Sequence, residues 1–183
     1  MTEGGQVTET QLQCACGAMR AEVTGRPIAV TECLCDSCRE AAERMARLPG
    51  ARSIVTEIGG TICVEYRKDR VEFLSGHENL KAFRLTPKSG TRRVIATCCN
   101  TPVFIEAKGG HWLSLYGGLW PEGAHPPVQL RTMVGDLPEG TELPDDVPNR
   151  KRHSAGFMGR LFLAWAAMGF RNPKLTVNEG LDV

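Results

Sequence analysis

The sequence predicts a mainly β domain built around zinc-binding cysteine clusters and followed by a single C-terminal helix. Three observations predict it. Short apolar runs recur between residues 10 and 134, each closed by Gly, Pro or Asn, which is the punctuation of strands and turns. Seven of the eight cysteines fall into three tight groups, Cys14/Cys16, Cys33/Cys35/Cys38 and Cys98/Cys99, leaving Cys63 alone. The longest apolar stretch, Phe157 to Phe170, comes late, after a run broken by prolines.

The elements follow in order. Leu12 to Val23 alternates apolar with small or polar residues and reads as a strand bent at Gly17. Residues 31–35 read as a second short strand running into cysteines. Ser37 and Cys38 open a helix rich in Ala, Glu, Arg and Met, which Pro49-Gly50 stops. Ser53–Ile58 and Thr61–Tyr66, divided by Gly59-Gly60, read as a β-hairpin. Short β runs follow at 71–74, 91–98, 102–107, 111–116 and 128–134. Residues 135–155, with Pro138, Pro144 and Pro148 in an acidic stretch, read as a surface arm or linker. A helix over 156–171 closes the pattern, with Ser154 as its N-cap.

A chain of 183 residues with 42% apolar and 23% charged residues suits one core-bearing domain. A formal net charge of +1 gives no global field toward nucleic acid or an anionic membrane. The polar, acidic N-terminus does not resemble a secretory signal, and no run reaches the roughly 20 apolar residues of a membrane span. We therefore expect a cytoplasmic protein without a transmembrane segment. Eight cysteines in a reducing compartment are read more readily as metal ligands than as disulfides, with redox-active thiols as the competing reading.

Tetrahedral zinc takes four ligands, and thiolates bind it strongly. Strand alternation puts the sulfurs of Cys14 and Cys16 on one face, and Cys98/Cys99 is the natural second pair. Adjacent strand residues point to opposite faces, so both can serve only if the backbone turns there. Asn100 favours such a turn, and Cys99 is the safer ligand of the two. Cys33, Cys35 and Cys38 supply three thiolates within six residues, at a helix start that favours ionised sulfur. Two readings stay open. The site keeps a free fourth position, as catalytic zinc does, or Cys63, His77 or His111 closes it.

Cys14-Ala15-Cys16-Gly17, Cys33-Leu34-Cys35-Asp36-Ser37-Cys38-Arg39 and Cys99-Asn100-Thr101-Pro102-Val103-Phe104 together resemble the glutathione-dependent formaldehyde-activating enzyme family, which includes centromere protein V-like proteins. The resemblance covers about residues 12 to 116. It implies a β-tent-like arrangement of short antiparallel sheets with one or two zinc ions. It also implies that Cys14, Cys16 and Cys99 belong to a structural zinc. Cys33, Cys35 and Cys38 would then hold a second zinc, where glutathione engages as co-substrate. Departures are clear: Ala96 stands where the family has a cysteine, so that either Cys98 substitutes as fourth ligand or the structural site is incomplete. Asn100 replaces a glycine, and Leu34 replaces a common histidine.

The function expected from this resemblance is a zinc-dependent carbon–sulfur lyase acting on thiol–aldehyde adducts, its partner a small-molecule thiol. Asp36, Arg39 and His111 are the candidate acids. The alternative is a non-catalytic zinc-stabilised binding module. Arg92-Arg93 and Arg150-Lys151-Arg152-His153 could touch phosphates, but solvated charge is the simpler reading. With 6% aromatic residues, nucleic acid is not expected as a partner. Phe157, Leu161, Trp165 and Met168 mark one face of the last helix, while Phe162, Leu163 and Phe170 make others apolar. Docking on its own core, a homodimer contact and an interfacial membrane helix are its three readings.

Overall fold

The computed structural model describes residues 8–121 and 124–183, so most of the N-terminal segment read above, residues 1–7, lies outside the described residues. Twelve strands and two α-helices follow in order among the described residues. They are β1 (Glu9–Gln13), β2 (Arg20–Thr24), β3 (Ala29–Cys33), α1 (Asp36–Ala46), β4 (Thr61–Arg67), β5 (Val71–Ser75), β6 (Leu80–Phe83) and β7 (Thr91–Ala96). After these come β8 (Thr101–Ala107), β9 (Trp112–Tyr116), β10 (Leu130–Thr132), β11 (Asn149–Arg150), α2 (Ala155–Ala167) and β12 (Asn178–Glu179). The fold is mainly β with a C-terminal helix, as the sequence predicts.

The strands form two sheets. One is three-stranded, in the order β1-β2-β5, and the other runs β11-β10-β3-β4-β9-β8-β7-β6-β12. Its central strands, β3-β4-β9-β8-β7-β6, pair antiparallel. The edges differ from the antiparallel expectation: β10 joins β3, β11 joins β10 and β12 joins β6 in parallel. Parallel pairing requires a long crossover, and these strands, all from the C-terminal third, return to the sheet after one. These edge strands are two or three residues long, which leaves little unpaired backbone to template aggregation.

Alternation along the strands sorts the side chains. In β4, Val64 and Tyr66 point into the core shared with the small sheet, while Cys63 and Glu65 point the other way. Leu12, Ala21 and Val23 of the small sheet meet Val64, Val94, Phe104, Leu113 and Leu115 in that core. Each of the larger side chains contributes about 1.5–3 kcal/mol by leaving water. On the opposite face, α1 sets Ala41 and Met45 on Phe83, Ile95 and Tyr116. On that face too, α2 sets Phe157 and Leu161 on Ala29 and Leu130.

The expected hairpin before β4 does not form. Residues 53–58 make only a bridge, Val55 to Thr61, and a turn closed by Thr56 N–H donating to Gly60 O (2.8 Å). Both edges of β4 are already taken by β3 and β9, so no ladder is left for a local partner. The proline-rich stretch 135–155 lies along the sheet edge. It carries β11, and Asp146 pairs with Arg131 of β10 at 2.7 Å.

Candidate metal centres

The four-sulfur cluster is assembled from two turns. Cys14 and Cys16 sit in the β1–β2 turn, where Gly17 takes a left-handed φ of 76° that a Cβ would disfavour. This turn, rather than strand alternation, brings their sulfurs together. Cys98 and Cys99 sit in the β7–β8 turn, and Asn100 takes a φ of 54°. That left-handed residue lets two neighbouring side chains face one point. The Sγ separations are 3.5 Å for Cys14–Cys16, 3.7 Å for Cys14–Cys98, 3.5 Å for Cys16–Cys98 and 3.9 Å for Cys98–Cys99. A tetrahedral thiolate site with metal–sulfur bonds of about 2.3 Å has edges of about 3.8 Å. The cluster can hold a metal ion.

The turns also supply hydrogen bonds to the sulfurs. Met19 N–H donates to Cys14 Sγ (3.3 Å), and Thr101 Oγ1 lies 3.0 Å from Cys99 Sγ while accepting from Ala15 N–H (3.0 Å). Burial opposes ionisation of Cys99. Hydrogen bonds from Thr101, the Cys16 backbone and the Cys16 and Cys14 thiols nevertheless bring it down to about 6. Burial, then contact with Cys16 and Cys14, pushes the Cys98 thiol up. Ala96, at the position where the resemblance expects a ligand, is fully buried in the core between the sheets. Cys98 supplies the fourth sulfur of the cluster.

The three-sulfur cluster is local. Cys33 ends β3, Cys35 is the N-cap of α1 and Cys38 lies in its first turn. The helix thus starts one residue before the expected Ser37, and a sulfur does the capping, accepting from Cys38 N–H at 3.3 Å. Cys33 and Cys35 Sγ are 3.4 Å apart, Ser37 Oγ lies 3.2 Å from Cys35 Sγ, and all three sulfurs lie within 4.8 Å of one another. Cys33 and Cys38 are buried and Cys35 is half-buried. Hydrogen bonds from Cys33 and Cys38, aided by Ser37 and the Cys38 amide, hold Cys35 far below the usual thiol range against burial. Contact with Cys35 and Cys38, followed by burial, pushes Cys33 far up. Ionising all three sulfurs at this spacing would take a cation between them, and three thiols so placed are the donor set of a metal site.

None of the expected fourth ligands joins this cluster. Cys63 is buried on the same sheet face, but it pairs in register with Thr31 while Cys33 pairs with Thr61. Its sulfur lies outside the group, and burial keeps it protonated. His77 is exposed beside Glu78. His111 is locked under α2, with Nε2 2.8 Å from Leu161 O and its ring stacked on Trp165. The expected acids are also occupied: Asp36 pairs with Arg39, and Arg39 donates to Leu34 O (3.3 Å) and Asp136 O (3.0 Å).

Two buried groups near this face escape sequence reasoning. Arg93 is fully buried, donates from Nη2 to Ser37 O (2.9 Å), and leaves Nε and Nη1 without partners among the described residues. Arg92 beside it is paired with Glu106 (2.6 Å) and Glu179 (3.1 Å). Neither is a solvated strand charge open to phosphate. Glu65, buried, accepts from Ser114 Oγ (2.6 Å) and Thr31 Oγ1 (3.4 Å), and burial pushes it up to about 7. Its one sequence signal is alternation: in Thr61–Tyr66, Cys63 and Glu65 share the face that Ile62, Val64 and Tyr66 avoid.

A protein-family model described as a family of unknown function, DUF6151, matches residues 7–118. The chain belongs to this family. The DUF6151 match takes in both cysteine clusters and β1 to β9, and it ends before β10, β11, α2 and β12. No curated protein matches the chain. Among solved structures, it is similar to the crystal structure of a Rhodobacter sphaeroides protein, a Northeast Structural Genomics target. The two are 17% identical over 64% of this chain and 92% of that one, with a TM-score of 0.45.

Proposed function

We propose that both clusters bind zinc, and that the Cys33/Cys35/Cys38 centre takes a small-molecule thiol such as glutathione as its fourth ligand. The activity proposed is that of a carbon–sulfur lyase, making or breaking thiol–aldehyde adducts. One observation carries this reading: four sulfurs complete one cluster, while among the described residues the other has three and no fourth Cys, His, Asp or Glu ligand atom. Sulfur-only donor sets favour zinc among the common cations of a cell. Three protein ligands and an open position are the arrangement of reactive zinc, which stabilises a bound thiolate and so supplies the nucleophile.

The chain's own groups account for the rest. Cys35 caps α1, so the helix N-terminus favours negative charge where the thiol enters. In the addition direction the thiol sulfur bonds to the carbonyl carbon, the C–O π bond breaks, and the proton given up by the thiol ends on oxygen. Ser37, exposed and hydrogen-bonded to Cys35 Sγ, would be the group to bond that oxygen. Arg93, buried and donating to Ser37 O, would set positive charge beneath the start of the helix that carries Cys38.

A second reading, a non-catalytic zinc-stabilised module, is favoured by the burial of Cys33 and Cys38, which leaves Cys35 alone partly open. Cobalt substitution separates the two. On the lyase reading, added glutathione changes the thiolate-to-cobalt absorption of the wild type, and NMR shows hydroxymethyl adduct formation accelerated. In Cys35→Ser both effects are lost while one metal is retained. Two bound metals with a spectrum indifferent to thiol would leave the binding module.

A further inference from the structure

A surface helix is ordinarily apolar toward the core and polar toward solvent. α2 departs from this. Its buried stripe, Phe157, Leu161 and Met168, faces the sheet. The outward side presents Ala155, Met158, Gly159, Phe162 and Leu163, all exposed. Phe162 is 57% and Leu163 68% exposed. With Met158 and Phe170 they make four of the six exposed large hydrophobics of the described chain. Phe162 and Phe170 pack together at 6.2 Å, extending the apolar surface past the helix end.

Charge frames this surface. From Asn149 to Asn178 there are six basic residues and no acidic one, leaving 16 basic and 21 acidic residues elsewhere. Arg150, Lys151 and Arg152 precede α2, Arg160 lies within it, and Arg171 and Lys174 follow it. All six are exposed, and none is in an ion pair among the described residues. The net charge of +1 hides a strongly cationic segment on an otherwise acidic protein.

We propose that α2 is a membrane-contacting helix that lies in the plane of an anionic bilayer surface. Phe162, Leu163 and Met158 enter the acyl boundary, and the flanking Arg and Lys residues meet lipid headgroups. The helix is about 20 Å long, suited to lying in the interface, and no helix of the described chain can cross a membrane. A second copy fits the same face poorly. An isologous contact centred on α2 would set six cations against six with no acidic side chain in either segment.

The test uses the full-length, zinc-loaded protein and flotation with vesicles of phosphatidylcholine alone or with phosphatidylserine at 30 mol%. The expected result is binding to the anionic vesicles, reduced at least about tenfold without phosphatidylserine or when salt rises from 0.1 to 0.5 M. The double variant Phe162→Glu/Leu163→Glu, altered only at exposed positions, keeps its metal content and circular dichroism and loses binding at least tenfold. Three results would overturn the proposal. The first is a wild type that fails to float with anionic vesicles. The second is a dimer in solution that the double variant converts to monomer, with no vesicle binding by either. The third is vesicle binding lost in Arg150→Glu/Lys151→Glu/Arg152→Glu yet untouched by the double variant, which marks a purely polyanion-binding segment.

Discussion

The four-sulfur cluster joins turns some 80 residues apart in sequence, whereas the three-sulfur cluster comes from six consecutive residues. The first ties the β1–β2 turn of the small sheet to the β7–β8 turn of the large one. A metal there would close a long loop and pin two layers. The second rests on one strand end and one helix start, which are already held by β3 pairing and by Ala41 and Met45 in the core. Distance along the chain separates a cluster whose metal would hold the fold from one whose metal the proposed chemistry could use.

The largest effect should follow from breaking the first cluster. Cys16→Ser removes an exposed sulfur and no core packing. Structural zinc contributes apparent binding energies of about 10–16 kcal/mol in small domains, comparable with the about 5–15 kcal/mol of a whole domain's stability. We expect Cys16→Ser to bind one metal and to lose cooperative thermal unfolding or at least 15 °C in Tm. Cys35→Ser should also bind one metal yet unfold within a few degrees of the wild type. Metal analysis with calorimetry reads both, and equal losses in Tm would mean that the two clusters hold the fold alike.

Much of this contrast was legible in the sequence because cysteine grouping is local. The triple Cys33/Cys35/Cys38 and the pair Cys14/Cys16 declare themselves by spacing. Joining Cys98 to Cys99 required one conformational inference, the left-handed Asn100. What stayed hidden depended on remote partners. Residues 53–58 look like a strand but find β4 already flanked on both sides. β11 and β12 are two-residue pairings that no periodicity can mark. Arg92 and Arg93 look alike in sequence, yet one is ion-paired and the other is sealed under α1.

Buried ionisable groups sharpen the comparison on the helix-bearing face. Glu65 has a folded pKa of about 7, above the unfolded carboxylate value, so folding favours its protonated form. Its contribution is fully present below the unfolded pKa of about 4.3 and is lost as pH rises through about 7. Glu65→Gln should therefore match the wild type near pH 4 and gain on it progressively above, approaching about 4 kcal/mol at pH 8. Urea denaturation at the two pH values measures this, and a constant difference across pH would show that burial does not set its proton affinity.

Arg93 asks whether the three-sulfur cluster carries net negative charge. A buried guanidinium with two unpartnered N–H groups is costly alone, so Arg93→Met ought to be neutral or stabilising if packing were its sole role. If it balances thiolates, the same variant should weaken metal binding at Cys33/Cys35/Cys38 about tenfold, or about 1.4 kcal/mol. The other cluster should be untouched. Competition with a chromophoric chelator resolves the two affinities, and equal loss at both would assign Arg93 to general packing.

The smallest effect tests the turn that makes the four-sulfur cluster possible. Asn100 holds φ 54°, and its Nδ2 donates to Pro49 O at 2.9 Å. Asn100→Gly relieves the left-handed strain but gives up that hydrogen bond and adds unfolded-state entropy, so we expect near neutrality. Asn100→Ala keeps the strain and loses the bond, at a cost of about 1 kcal/mol. Because the strain acts on the angle between Cys98 and Cys99, the Ala variant should also weaken metal retention at their cluster while sparing Cys33/Cys35/Cys38. An Ala variant that releases neither metal more readily would mean that the sulfurs, once bound, dictate the turn rather than the reverse.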